Sequence, residues 1–105
     1  MSRKRERLSN LLKEEIAQIL KHAQDKRLTM AVITRLELSQ DLRYAKVYFT
    51  TIPEGAEKEV EKALESAKGY IKTQLIKNLD IRFVPELTFK FDRELKEFEK
   101  LWEKL

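Results

Sequence analysis

"ESAKGYIKTQL", residues 65–75, reads as helix on both sides of Gly69. The 105-residue chain has only two glycines, and a glycine inside a helix costs roughly 1 kcal/mol relative to alanine. If the helix breaks here there are two helices, and that choice decides the fold. Before the glycine, Val60, Ala63, Leu64 and Ala67 form an apolar stripe; after it, Ile71, Leu75, Ile76 and Leu79 form another. Both have the three- and four-residue gaps of an amphipathic helix. Charge changes sign at the same place. Glu54, Glu57, Glu59, Glu61 and Glu65 outnumber Lys58 and Lys62 before the glycine, whereas Lys68, Lys72, Lys77 and Arg82 oppose only Asp80 after it. A helix starting after Gly69 would offer free N–H groups to an anion beside Lys68 and Lys72. The same sign change also suits two helix macrodipoles with no ligand.

Outward from the break lie strands. Residues 30–38, "MAVITRLEL", alternate, placing Met30, Val32, Thr34, Leu36 and Leu38 on one expected face. "SQDL" is a turn. Residues 43–52 form a second strand with Ala45, Val47 and Phe49 inside and Tyr44, Lys46, Tyr48 and Thr50 outside. The short polar turn between them predicts a hairpin. "IRFVPELTFKFD", residues 81–92, reads as a third strand with Leu87, Phe89 and Phe91 inside, Thr88 and Lys90 outside, and Pro85 at its entrance. Two helices connect the second and third strands, so a right-handed crossover is expected if those strands run parallel.

At the N-terminus, Leu8, Leu11, Leu12, Ile16, Ile19, Leu20 and Ala23 mark an amphipathic helix over residues 5–23, with Ser2 as a possible cap; "HAQDKRLT" reads as a connection. The tail, "RELKEFEKLWEKL", carries Leu95, Phe98, Leu101, Trp102 and Leu105 on one side. It is expected to dock on the domain, because Phe98 and Trp102 would otherwise lie in water. The division is thus residues 1–92 as one domain and 93–105 as a C-terminal amphipathic helix. Helices on one face of a small sheet make an α+β layer architecture.

Composition narrows function. A net charge of +4 and a pI near 9.3 favour a polyanionic partner. Residues 1–13 carry Arg3, Lys4, Arg5, Arg7 and Lys13 against Glu6, a second basic stretch. There are no cysteines, hence no disulfide and no thiolate metal site. No apolar run approaches the ~20 residues of a membrane span, and no apolar segment follows the basic start as a secretory signal requires. Charged residues reach 38%, rich in Lys and Glu, a leaning towards thermophily. The lone His22 has no partner histidine for a metal. No phosphate loop or dinucleotide turn appears, and Ser9, Ser39 and Ser66 lack an identifiable base. No catalytic residue, metal or cofactor is therefore assigned. Tyr44 and Tyr48 could stack bases on an open sheet face, although tyrosine is also simply a good strand former.

The segments "LELSQDLRYAKVYFT" (36–50), "SAKGYIKTQL" (66–75) and "IRFVPELTFKFD" (81–92), in that order, resemble the bacterial ribosome-binding factor A family, as does "SRKRERLSNLLKEEIAQIL" at the N-terminus. The resemblance covers about residues 2–95. It implies a type II KH-like fold, α-β-β-α-kink-α-β, in which an Ala-x-Gly kink replaces the GxxG loop of nucleic-acid-clamping KH domains. Here that kink is Ala67-Lys68-Gly69. It implies a non-enzymatic, cytoplasmic factor that binds the small (30S) ribosomal subunit and assists late maturation of 16S rRNA, including in the cold. No membrane or small-molecule partner is implied, and a monomer is expected. Asp25-Lys26-Arg27 departs from the family's Asp-Pro-Arg, and Lys72 stands for a family arginine, keeping charge but losing the bidentate fork.

Arg3, Arg5, Arg7, Lys46, Lys68, Lys72, Lys77 and Arg82 are the expected RNA-phosphate contacts, with Ala67 and Gly69 as the structural kink. A protein-interaction module docking through the C-terminal helix, without direct RNA contact, is the alternative.

Overall fold

The computed structural model describes residues 3–104. Ser2 and Leu105, assigned above a cap and an apolar position, lie outside them. In chain order the elements are α1 (Arg3–Lys21), α2 (Lys26–Thr29), β1 (Ala31–Leu38), β2 (Tyr44–Thr51), α3 (Glu57–Ser66), α4 (Lys68–Leu79), β3 (Glu86–Phe91) and α5 (Arg93–Glu103). β1 pairs antiparallel with β2, and β2 pairs parallel with β3, in a sheet of order β1-β2-β3. This is the α+β, KH-like order expected, with one addition. The connection after α1 contains the single helical turn α2, capped by the Asp25 carboxylate, which accepts from the Arg27 N–H.

All the packed helices lie on one face of the sheet. α1 covers β1, and α3 covers β2 and β3. The core holds Leu12, Ile16 and Leu20 of α1, Val47 and Phe49 of β2, Leu64 of α3, and Ile71 and Leu75 of α4. Each such side chain contributes about 1.5–3 kcal/mol relative to exposure. Leu11, expected on the buried stripe of α1, is instead exposed, because the contact stripe is narrower than the apolar one.

The strand patterns hold for β2 and β3. In β1 the alternation changes phase. Ile33 lies opposite Phe49 and Arg35 opposite Tyr48, so Thr34 is an extra, bulged residue. Before the bulge Ile33 packs on the core and Val32 faces out; after it Leu36 is buried. Val32 and Thr34 thus leave the face assigned to them. The third strand starts at Glu86, not at residue 81. Residues 81–85 are a loop that buries Val84 and Pro85 and turns Phe83 outward.

The break between α3 and α4 falls at Ala67, with φ −92° and ψ 1°. Its N–H donates to the Ala63 and Leu64 carbonyls, and its carbonyl accepts from Ile71. The cause is packing: α3 buries Val60 and Leu64 over the sheet, whereas α4 buries Ile71 and Leu75 beside α1. One straight helix could not face both. Gly69 is therefore not the joint itself. It sits in the first turn of α4, has no positive φ, and a Cβ added there meets nothing within 4 Å. Gly69→Ala is expected to leave the fold intact and stabilise it by about 0.5–1 kcal/mol. Thermal unfolding checks this; a lower midpoint would show that the glycine is needed by the fold.

The tail helix departs from expectation. α5 forms, but Phe98 and Trp102 are 61% and 68% exposed, their rings stacked on each other at 6.5 Å. It does not dock on the domain: its Phe98, Leu101 and Trp102 side stays open to solvent. Only its first turn is anchored. Asp92, 4% exposed, caps it by accepting from the Leu95 N–H at 3.1 Å. The same carboxylate accepts the Thr34 hydroxyl at 2.6 Å and lies 3.5 Å from Arg35 Nε. The β1 bulge thus aims Thr34 at the α5 cap.

Candidate nucleic-acid interface

Three chain segments meet at the first turn of α4. The Ala67 break brings Lys68, Gly69 and Lys72 beside the start of β2, Arg43 and Tyr44, and beside the loop and strand that follow α4, Phe83 to Leu87. Parallel pairing sets Tyr44 opposite Glu86, so the two strand starts form one wall. Between them is an open groove of about 740 Å³. Tyr44 and Phe83 expose 55% and 60% of their surfaces in it. Solvent-facing rings beside cations are the chemistry that single-stranded nucleic acid uses.

The cations differ in availability. Lys68 Nζ lies 3.0 Å from Glu65 Oε1, one helical turn back. Lys72 is exposed and has no ion-pair partner among the described residues. Arg43 is exposed; its backbone N–H is held by the Asp41 carboxylate, which also accepts from Ser39 Oγ. Those bonds, from Ser39 first and then Arg43, hold the Asp41 carboxyl below its usual range. Its negative charge therefore stays fixed to the turn that presents Arg43. Glu86 is the one acid on the groove wall.

Of the eight expected phosphate contacts, the groove gathers Lys68 and Lys72. Arg3, Arg5 and Arg7 lie in the first two turns of α1, Arg5 half-buried. Lys77 is exposed in the last turn of α4, and Arg82 is exposed in the loop beyond. α1 and α4 run antiparallel: Tyr70 at the α4 start lines a cavity with His22 and Ala23 just past the α1 end, and the Asn78 amide near the α4 end donates to Glu15 at 2.9 Å. Lys77 and the basic start of α1 therefore point to the same end of the helical layer. Lys46 stands apart, on the open sheet face between Glu37 and Thr88. Glu59, Glu61 and Glu65 of α3 are exposed along that helix, and Glu57 is half-buried.

The tyrosines separate. The Arg35 guanidinium covers the Tyr48 ring at 3.8 Å, leaving that face unavailable for a base. Tyr44 keeps its face open. Arg43 and Phe83 were not singled out from the sequence. Arg43 adjoins Tyr44 in "DLRYAKVY", and Phe83 was hidden by reading residues 81–85 as strand. Among the described residues, no cluster of three or more His, Cys, Asp or Glu could hold a metal, and no helix is long and apolar enough to cross a membrane.

Comparison with known proteins gives the family and the fold. The family model described as ribosome-binding factor A matches residues 4–105. The chain is 43% identical to a ribosome-binding factor A from Dictyoglomus thermophilum, over 100% of this chain and 90% of that one. The crystal structure of ribosome-binding factor A from Thermus thermophilus superposes with a TM-score of 0.76 at 26% identity, covering 85% of this chain and 96% of that one. A homology model of the Thermus thermophilus factor, fitted into the cryo-EM map of a 30S complex, superposes with a TM-score of 0.70 at 26% identity, covering 83% and 93%. On the matched length, the shared fold and the curated relatives together, the chain belongs to the ribosome-binding factor A family.

Proposed function

We propose that this protein binds the small ribosomal subunit through its 16S rRNA and assists the late maturation of that RNA, including in the cold. What carries the reading is the Thermus thermophilus relative, which was fitted into a 30S complex with the same fold over nearly its whole length. The groove at the α4 start supports it with Arg43, Lys68 and Lys72, since Lys and Arg supply most of the affinity for a phosphate backbone. The basic first turns of α1, with Lys77 and Arg82, extend the contact; Lys46, opposite Glu37 in the sheet, is a weaker contributor. The protein acts as a cytoplasmic monomer and as a binding factor, not an enzyme. Cells depleted of it and grown cold are expected to accumulate 16S precursor with unprocessed ends. Normal end processing under depletion would contradict the maturation role.

The second reading, a protein-docking module, is favoured by one observation: the exposed Phe98, Leu101 and Trp102 stripe of α5. Residues 93–104 balance four basic against four acidic residues, which suits a protein surface better than phosphate. On that reading removal of residues 93–105 abolishes binding, and loss of the groove cations does not.

A further inference from the structure

The two sides of α5 face different surroundings. Its basic side turns inward: Arg93 and Lys100 line a cleft with Glu54 and Glu57, from the turn and helix that follow β2. Its first turn is fixed as well, by the Asp92 cap and by Glu94, 3.4 Å from the Arg35 guanidinium. With that side and that end engaged, the apolar side is left outward. Leu95, Phe98 and Trp102 stand at i, i+3 and i+7 with Leu101 beside them, and Phe98, Leu101 and Trp102 are each at least 60% exposed. Successive helical residues are about 100° apart. Glu99 and Glu103 therefore border the stripe on one side, and Glu97, at the lip of the cleft, borders it on the other. All three are exposed.

We infer that α5 is a docking helix for a basic protein of the small subunit, which takes Leu95, Phe98 and Trp102 in an apolar groove rimmed by lysine or arginine. Anchors at this spacing are what a groove reads on a helix, and tryptophan is among the residues that dominate the energy of such contacts. The acidic borders decide the class of partner. Glutamates beside the stripe repel phosphate, so RNA is a poor occupant of this side, whereas a basic rim is complementary to them. A second copy of the chain fits less well. Both borders are acidic, so two α5 faces laid together oppose glutamate to glutamate. The helix is also preformed: its cap, its ion pair and its rings stacked at 6.5 Å hold it before it binds, which leaves less ordering to oppose association. The contact is distinct from the groove at the α4 start. That groove has Glu86, the first residue of β3, on its wall, whereas α5 leaves the far end of the same strand. The inference rests on the small-subunit reading above and adds a protein contact to the RNA one.

The test is co-sedimentation with purified small subunits across a salt series, joined to photocrosslinking from benzoylphenylalanine in place of Leu101. Phe98→Ala/Trp102→Ala is expected to weaken binding by about 10- to 100-fold, with the logarithmic salt slope unchanged because no phosphate contact is lost. Glu99→Lys/Glu103→Lys is expected to weaken binding by roughly tenfold, whereas a phosphate partner would gain from the added lysines. The crosslink is expected on a subunit protein, in a peptide rich in Lys and Arg. All four replaced side chains are exposed, and circular dichroism verifies that the variants fold. Aromatic variants that bind like the parent overturn the assignment, as does a charge reversal that leaves binding unchanged or tightens it. So does a bound chain that crosslinks to 16S rRNA, to a second copy of itself or to nothing. Each of these leaves the small-subunit reading standing. A parent chain that ignores small subunits at low salt overturns both.

Discussion

The double replacement Arg43→Ala/Lys72→Ala is expected to weaken small-subunit binding by roughly 30-fold at 0.1 M salt, with the fold intact. The size follows from counterion release. Each phosphate contact contributes a slope of about 0.7–0.9 in log affinity against log salt, so two contacts are worth between one and two decades at 0.1 M relative to 1 M. The logarithmic salt slope itself should fall by between about 1.4 and 1.8. Both residues are exposed, and neither loss leaves a buried group unpaired. Lys68→Ala should cost less than Lys72→Ala, because the Lys68 ammonium is already shared with Glu65. Lys46→Ala should cost least, since that lysine lies on the sheet face away from the groove. Titration of subunits across a salt series measures affinity and slope together. An unchanged slope in the double variant would remove the groove from the interface.

Asp92→Ala is expected to be the most damaging single change to stability, by about 3 kcal/mol, lowering the melting midpoint by on the order of 10–20 °C. The Asp92 carboxylate is buried and serves three groups: the Thr34 hydroxyl, the Leu95 N–H and the Arg35 guanidinium. Its loss removes the α5 cap, worth about 1 kcal/mol, and leaves the part-buried Thr34 hydroxyl without a charge-assisted bond worth about 1.5–3 kcal/mol; Arg35 keeps Glu37 and Glu94. Asp92→Asn, of the same shape without the charge, should lose about half as much. The same group sets an acid limit. Burial works to raise the Asp92 pKa, but the bonds from Thr34 and Leu95 and the charge of Arg35 outweigh it, leaving the pKa below its usual value. A carboxyl with a depressed folded pKa adds stability above its unfolded pKa of about 3.9 and loses it as pH falls through the lower folded value. The parent should therefore lose stability below about pH 4 more steeply than Asp92→Asn. Parallel acid profiles would show that the carboxylate's charge is not what holds α5 to the sheet.

How much of this was legible depends on whether the cause was local. Ala45, Val47 and Phe49 alternate along β2 and are buried, since a strand paired on both sides has no freedom to change phase. β1 alternates just as well on paper. Its phase changes at Thr34 because the hydroxyl bonds Asp92, 58 residues away, and no local period encodes that contact. The break in "ESAKGYIKTQL" was legible as a break, and the family resemblance placed Ala67 in it; that Gly69 lies inside α4 was not legible. Glycine marked it, but the backbone turns at Ala67, where two apolar stripes must reach different partners. The α5 stripe showed amphipathicity without showing what it faces: Phe98 and Trp102 stay exposed, and an apolar period along one helix does not encode whether a partner surface exists. Lys68 and Lys72 were legible as a cationic pair on one helix. Their groove partners Arg43, Tyr44 and Phe83 come from two other segments, so the site as a unit exists only after folding.

This member of the family is expected to engage the small subunit. Sedimentation through a gradient with separated small subunits, large subunits and joined ribosomes tests it most directly. The protein is expected to migrate with small subunits alone, and to leave that fraction as salt rises. Migration with large subunits, or with none of the three at low salt, would contradict the account.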